Sequence, residues 1–428
     1  MTTAERLEQF AASPRARRFL AVLALGIWFE TYDIFMVGYL GTVLVSTGFL
    51  SRDSLGPFVA AGFLGMFVGT VGFGAISDRV GRRPAFMWML AAFSLFTLGG
   101  ALAPSAGWLM VMRFLAGVGI GGEAIVIDTY VTELVPAGLR GRGVAFTQVV
   151  GFTSIPVVAF LARMLAWRQV MALGSIGAAL VWMVRRRLPE SPRWLESRGR
   201  FEEAQAALHD LDGMEGEATE LAPPPPSVSA GELWRGTYLS RTLMLVVFNL
   251  LQTLGFYGFA NWYPRYMMEQ GVGLVDALRY SSIIALTAPL GAMVGLVSAD
   301  RLERKWTLVG LSLAVASVGL MFAQARTAMA FIACGVALTI FNHWFSSIFH
   351  AWQCELYPTR LRTTGVGFTY GLSRLSAAGA SWLTGWMLAA YGVTSVFALM
   401  AGAMVLVALD VALLSPPVNH RVLEEVSA

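Results

Sequence analysis

Glu30, Asp33, Arg113, Glu123, Asp128 and Arg374 lie well inside long apolar stretches of this 428-residue chain. A charge at mid-bilayer costs about 2.5–3.5 kcal/mol even on permissive scales, so such groups pair or face a cavity. Glu30 and Asp33, three residues apart, fall on one helical face. Glu123 and Asp128 are five apart, about 140° round a helix, and cannot share one. One can line a cavity while the other meets a neighbouring helix. Four acids against two arginines leave two negative charges over. A buried carboxylate without a counter-ion tends to hold a proton, which is the chemistry of a proton carrier. Glu30 and Asp33 are the principal candidates, with Arg113, Glu123 and Asp128 as modulators. The plainer alternative is a static pair, Arg113 with Glu30 or Glu123, that only orders helices.

Arg374 suggests a second chemistry. A guanidinium keeps its charge and offers a planar fork that matches a carboxylate. Tyr370 and Arg374 fall on one stripe, as do His343, Ser346, His350 and Gln353 on another. Asn249, Gln252, Tyr257 and Asn261 add polar groups from a third stretch. With Phe256, Trp262, Trp344 and Trp352 nearby, these residues describe an aromatic-rich pocket for a small organic anion. Taken singly, each His, Asn or Gln serves equally well as an interhelical hydrogen-bond partner. No P-loop lysine motif, zinc-type Cys/His spacing or nucleophile elbow occurs, so an ATP-driven pump or an enzyme is not expected. No metal or cofactor is expected either.

The elements that must position these groups are written twice. Asp78-Arg79-Val80-Gly81-Arg82-Arg83 ends one apolar run, and Glu133 follows 55 residues after Asp78, with Pro136 and Arg140 beyond it. Asp300-Arg301-Leu302-Glu303-Arg304-Lys305 ends another, with Glu355, Pro358 and Arg362 at the same spacing. The two sets are offset by 222 residues, as are Gly143 and Phe146 from Gly365 and Phe368. That is an internal duplication. Clustered ion pairs at a wet rim are worth about 0–1 kcal/mol each and suit a contact that must hold and release. Asp78, Arg79, Gly81, Arg82, Arg83, Glu133, Arg140, Asp300, Arg301, Arg304, Glu355 and Arg362 are therefore read as a gate. The alternative is that they only set topology.

Composition says what surrounds them. The chain is 56% hydrophobic and 14% charged, with a mean hydropathy of +0.62; a soluble domain carries about 25% charge. Apolar runs of spanning length fall at 19–47, 57–77, 84–103, 106–134, 141–163, 166–187, 240–267, 276–299, 305–324, 328–356, 362–390 and 393–414. With both termini cytoplasmic, 23 of the 31 basic residues lie on the cytoplasmic side and six on the other, as the positive-inside rule requires. The basic balance is thus topological, and no nucleic-acid partner is expected. Cys334 and Cys354 would stand about 30 Å apart on one helix, too far for a disulfide. The first apolar run is too long, and too acidic with Glu30 and Asp33, for a cleaved signal. Residues 189–238 read as a cytoplasmic linker with a short amphipathic helix near 201–211 and a polyproline stretch at 223–226. Residues 1–188 and 239–428 form the flanking six-helix bundles.

Gly74-Ala75-Ile76-Ser77-Asp78-Arg79-Val80-Gly81-Arg82-Arg83 resembles the G-x-x-x-D-R-x-G-R-R loop of the major facilitator superfamily. Arg113 to Glu123 resembles its fourth-helix motif, while Pro189-Glu190-Ser191-Pro192-Arg193-Trp194-Leu195 resembles the sugar-porter branch. Phe29-Glu30-Thr31-Tyr32-Asp33 looks like the acidic first-helix pattern of organic-acid, aromatic-acid and niacin-type proton symporters. The resemblance implies an all-α membrane fold of twelve helices in two pseudo-symmetric bundles, and a latch role for the gate residues. It also implies a secondary transporter in which a small carboxylate, aromatic ones included, moves with protons by alternating access. A carrier of a neutral sugar or polyol is the other reading, and a transporter-like receptor a third. The partners expected are a small-molecule substrate, protons and the lipid bilayer, with the chain acting as a monomer. All but one of the basic residues are arginine, a bias of GC-rich bacterial genomes that points to a bacterial inner membrane.

Overall fold

The computed structural model describes residues 14–135, 139–186, 188–212, 230–260, 263–358 and 361–417. Pro136, Asn261, Trp262 and the polyproline stretch lie outside the described residues. Helices account for nearly all the rest. In the first half they are α1 (Pro14–Ser46), α2 (Arg52–Val80), α3 (Arg82–Ala101), α4 (Ala106–Gly121), α5 (Glu123–Leu134), α6 (Arg140–Phe152), α7 (Ser154–Met164) and α8 (Trp167–Arg185). Two short helices follow, α9 (Pro192–Ser197) and α10 (Phe201–Asp212). The second half holds α11 (Gly236–Ala260), α12 (Tyr263–Glu269), α13 (Leu274–Ala285), α14 (Ala288–Ser298), α15 (Arg304–Ala323), α16 (Ala328–Glu355) and α17 (Arg362–Leu414).

Eleven stretches among the described residues are helical, long and apolar enough to cross a membrane. The first part of α17, which carries Arg374, makes the twelfth span. It runs into the last span through Gly392, whose φ of 79° breaks the helix. Expected spans four, five and eight are each built from two consecutive helices (α4–α5, α6–α7 and α13–α14). Side-chain caps start several elements: Ser51 accepts from Ser54 N, Ser105 from Trp108 N and Thr327 from Ala330 N, each satisfying an orphan N–H of a first turn. The outer surface stays apolar, with Leu95, Met164, Trp382 and Leu413 largely exposed, as suits helices solvated by lipid.

The duplication extends to element boundaries. Pro14 and Gly236, Arg52 and Leu274, Arg82 and Arg304, Ala106 and Ala328, and Arg140 and Arg362 each begin a helix, and each pair is 222 residues apart. The alignment of the halves is therefore free of gaps from α1 to the start of α17. Any residue has its counterpart at a fixed offset.

Small residues set the distances between helices. A Cβ on Gly65 would lie 2.0 Å from Phe114 O, on Gly69 2.2 Å from Val118 O, on Gly117 2.3 Å from Gly62 O and on Gly121 2.3 Å from Met66 O. The two G-x-x-x-G faces of α2 and α4 thus interlock at backbone contact. The other side of α2 meets α17 of the second half, where Gly367 would place a Cβ 2.9 Å from Thr70 O. We expect Gly117→Val to lower the melting temperature of the detergent-solubilised protein by several degrees, an overpacking cost of about 1–3 kcal/mol. Gly379→Val, which enters open space, should leave it unchanged.

Candidate functional site

A cavity opens between the two halves, with about 540 Å³ of atom-free space including its solvent-open part. Its wall includes Glu30 and Gln252, Ile34 and Phe256, Phe35 and Tyr257, Ala124 and Ser346, Gln148 and Tyr370, and Phe152 and Arg374. Each is a pair of counterparts 222 residues apart, so the cavity straddles the pseudo-twofold axis. The chemistry across that axis is unequal. Glu30 stands where the second half has the neutral amide Gln252, Phe152 where it has Arg374, and Phe35 where it has Tyr257.

Arg374 is buried at the cavity wall. Its Nη1 donates to the Tyr257 hydroxyl at 2.8 Å and its Nη2 to the Tyr370 hydroxyl at 2.9 Å. Nη2 also donates to Glu30 Oε1, so the ion pair joins α17 of one half to α1 of the other. The guanidinium carbon lies 4.8 Å from the Tyr370 ring centroid, within cation–π range. Glu30 Oε2, Arg374 Nε and Gln148 Nε2 are buried with no hydrogen-bond partner among the described residues. Phe35, Phe152, Phe256 and Phe349 supply apolar wall.

Asp33, Glu123 and Asp128 also have partners. Arg113 grips Asp33 with two bonds, Nη1 to Oδ1 at 2.6 Å and Nη2 to Oδ2 at 3.0 Å. Glu123 Oε1 accepts from Arg185 Nη1 at 2.7 Å, and Arg185 Nη2 also donates to Leu23 O at 2.6 Å. His350 Nδ1 lies 2.5 Å from Asp128 Oδ2. Three of the four expected acids thus sit against an arginine, and Asp128 sits against a histidine, which is charged only when protonated. Arg185, at the end of its span, is buried and holds Glu123, and the His350 ring stands against Asp128. Arg113 pairs with neither Glu30 nor Glu123. Three residues along a helix turn a side chain by about 60°, enough to aim Asp33 into its own half and Glu30 across to the other.

The gate cluster forms as a symmetric set at one end of the molecule. Asp78 takes Arg82 Nη1 at 2.7 Å, and Asp300 takes Arg304 Nη2 at 2.9 Å. Arg82 Nη2 reaches Glu133 Oε1 at 2.7 Å, and Arg304 Nη1 reaches Glu355 Oε2 at 3.1 Å. Arg140 Nε donates to Thr132 O and Arg362 Nε to Cys354 O, again counterparts. The contacts between halves repeat as well. Asp78 Oδ2 accepts from Thr364 N at 2.7 Å and from its hydroxyl at 2.6 Å. Asp300 accepts from Gly141 N and Arg142 N, both at 3.0 Å. Each carboxylate thus caps the first turn of a helix in the opposite half, where the macrodipole favours negative charge.

Gly81 is explained by φ of +109° and by Glu190, whose Oε2 would lie 2.2 Å from a Cβ there. Glu190 accepts from Arg82 N at 2.9 Å and Arg83 N at 3.1 Å, capping α3. Burial pushes its carboxyl above the usual range, with those N–H donors working against the shift. Ser191 Oγ donates to Glu133 Oε2 at 2.6 Å and Trp194 Nε1 to Asp78 O at 2.9 Å. Arg83 reaches Arg186 O. Arg79 and Arg301 are exposed and take no part in these contacts.

Of the expected pocket residues, Arg374, Tyr370, Tyr257, Gln252 and His350 line the cavity. His343 stands behind its wall, edge-on to Phe152 with centroids 4.4 Å apart. Asn249 turns back to Leu245 O, Gln353 is buried away from the cavity, and Asn261 is outside the described residues. Among the expected proton-coupling residues only Glu30 lines the cavity. Gln148, Phe152 and Arg185 were missed. Gln148 was findable, being the counterpart of Tyr370.

The profile described as Sugar (and other) transporter matches residues 19–428. YyaJ of Bacillus subtilis, named for metabolite transport, is 31% identical over 98% of this chain and 96% of its own. The niacin transporter NiaP of Acinetobacter baylyi is 29% identical over the full length of both. Among solved structures, the proton:xylose symporter XylE bound to 6-bromo-6-deoxy-D-glucose superposes with a TM-score of 0.79 at 21% identity, covering 95% of this chain and 97% of that one. At that identity the likeness is one of fold.

Asp78→Ala and Asp300→Ala each delete a carboxylate holding two donors of the other half. A charge-assisted bond contributes about 1.5–3 kcal/mol. With spin labels on Val80 and Leu302, exposed counterparts on opposite halves, either variant should add a longer component to the inter-label distance distribution. An unchanged distribution would mean the cluster does not hold this end together.

Proposed function

Because this chain belongs to the sugar (and other) transporter family of the major facilitator superfamily, we propose that it carries a small organic anion, a carboxylate with an aromatic ring, together with a proton by alternating access. Membrane transport and the absence of an enzymatic role come with the family. The substrate class and the coupling are our reading. The observation that carries it is the Arg374–Glu30 pair, which crosses the cavity between the halves.

A substrate carboxylate offers Arg374 the same pair of oxygen acceptors that Glu30 offers. When the anion takes the guanidinium, Glu30 loses its counter-ion. A lone carboxylate in a dry cavity is costly, so Glu30 takes up a proton and the site regains neutrality. Release reverses the order: the proton leaves, Glu30 returns to Arg374, and the anion is displaced. The Tyr257 and Tyr370 hydroxyls hold the guanidinium in place throughout, while the phenylalanine wall accepts a ring. Asp33–Arg113 and Glu123–Arg185 lie within one half and act as modulators by fixing α1 against α4, α5 and α8. NiaP, named for niacin, an aromatic carboxylate, agrees with this reading.

We place the gate end on the cytoplasmic side by the positive-inside count, with both termini there. Residues 1–188 and 239–428 then serve as the moving halves and 189–238 as the linker. The gate contacts hold the cytoplasmic side shut while substrate enters from the other. A second reading, a neutral sugar or polyol, draws on the Gln148 and Gln252 amides at the wall.

Proteoliposome uptake of labelled niacin and benzoate, with xylose as the neutral comparison, tests the proposal. We expect accumulation of an acid to rise with an inward proton gradient. Arg374→Lys should weaken binding at least tenfold through loss of the planar fork. Glu30→Gln should abolish gradient-driven accumulation while sparing counterflow exchange. Uptake of xylose but of neither acid would favour the second reading.

A further inference from the structure

The pair formed by Asp128 and His350 has a property no other buried pair shares: its two members are each other's counterparts, 222 residues apart. Two symmetry-equivalent residues can touch only where the symmetry axis passes between them. The contact therefore sits on the pseudo-twofold axis, joining α5 of the first half to α16 of the second. Asp128 precedes Glu133 by five residues and His350 precedes Glu355 by five, about 7.5 Å of helix in each case. His350 also lines the cavity. The pair is thus the floor between the cavity and the gate cluster, and opening that end requires parting α5 from α16 at this point.

We propose that Asp128 and His350 form a second proton-binding site, which holds the gate end closed when protonated and eases its opening when the proton leaves. With the proton bound, an imidazolium faces a carboxylate, and separating opposite charges at low dielectric is expensive. With the proton gone, a neutral ring faces the carboxylate and the contact is weaker. The cavity that His350 lines gives its ring a route for exchanging a proton with solvent. The ionisable groups around the pair are Glu30 on α1, Glu123 on α5 itself, Cys354 on α16, and Tyr370 and Arg374 on α17. From α6 and α11 the neighbouring cavity residues are the neutral Gln148 and Gln252. The gate charges lie beyond: Asp78, Arg82, Glu133 and Arg362 on one side, and Asp300, Arg304, Glu355 and Arg140 on the other. Glu30 is matched by Arg374 and Glu123 by Arg185, which leaves the proton on the Asp128–His350 pair as the charge that changes.

The inference rests on alternating access but not on the substrate or its coupling, so it is tested without substrate. Spin labels at Val80 and Leu302, with Cys334 and Cys354 replaced by alanine, report the separation of the gate end between pH 5.5 and 8. In the otherwise unaltered protein the long-distance population should rise several-fold as pH is raised across that range. His350→Asn keeps a donor for Asp128 but cannot titrate, and should make the distribution independent of pH. Asp128→Asn should raise the long-distance population at low pH, and stands in if the histidine variant does not fold. A pH response that survives His350→Asn, or its absence from the parent protein, overturns the proposal.

Discussion

A buried charge must be matched, and this requirement governs the structure. Lipid and dry protein solvate an ion poorly, and Glu30, Asp33 and Glu123 each have an arginine within hydrogen-bond reach while Asp128 has the His350 ring. Two of the matches are internal to the first half, Asp33 with Arg113 and Glu123 with Arg185. They can persist through any motion of one half against the other. The remaining two, Glu30 with Arg374 and Asp128 with His350, cross between halves. Under the alternating access we propose, those are the pairs that part, and the proposal puts the anion and the protons there.

The duplication shows where symmetry is kept and where it is given up. At the gate end, ion pairs, helix-capping carboxylates and even the backbone carbonyls that accept from Arg140 and Arg362 recur at one fixed offset. A bistable contact between two similar bodies gains from being matched, because both sides then release together. In the cavity the counterparts differ in charge and polarity, and recognition of an asymmetric solute requires that. The second half brings the cationic and hydroxyl groups, the first the acid and much of the apolar wall. One departure at the gate has a local cause. Gly81 has no glycine counterpart because only the first half packs a linker carboxylate, Glu190, against that turn.

Much of this was legible in the sequence, for reasons that differ by residue. Span positions follow from hydropathy, and the gate from spacing repeated at one offset; both are one-dimensional signals. Which acid meets which cation is not, because it depends on helix azimuth and on which neighbour lies across the interface. Asp33 and Glu30 illustrate the point, being adjacent on the helix yet serving different halves. Arg185 was misplaced because a charge at the end of an apolar run reads as a loop anchor, although its side chain turns inward to Glu123. His350 was read as a pocket residue, and it lines the cavity. Its bond to Asp128 was implicit in the offset, since 128 and 350 are counterparts. Asn249 and Gln353 share a periodicity with true wall residues, but helix rotation carries them out of reach.

Since the cavity's polarity resides in a few positions that differ between otherwise matching halves, the molecule separates its choice of cargo from its machinery of motion. Drift at Gln148, Gln252 or Phe152 could change what is carried while leaving the hinge contacts untouched. A scaffold built in this way can diversify its cargo through single replacements on one flank of the axis, with no need to reinvent how it opens and shuts.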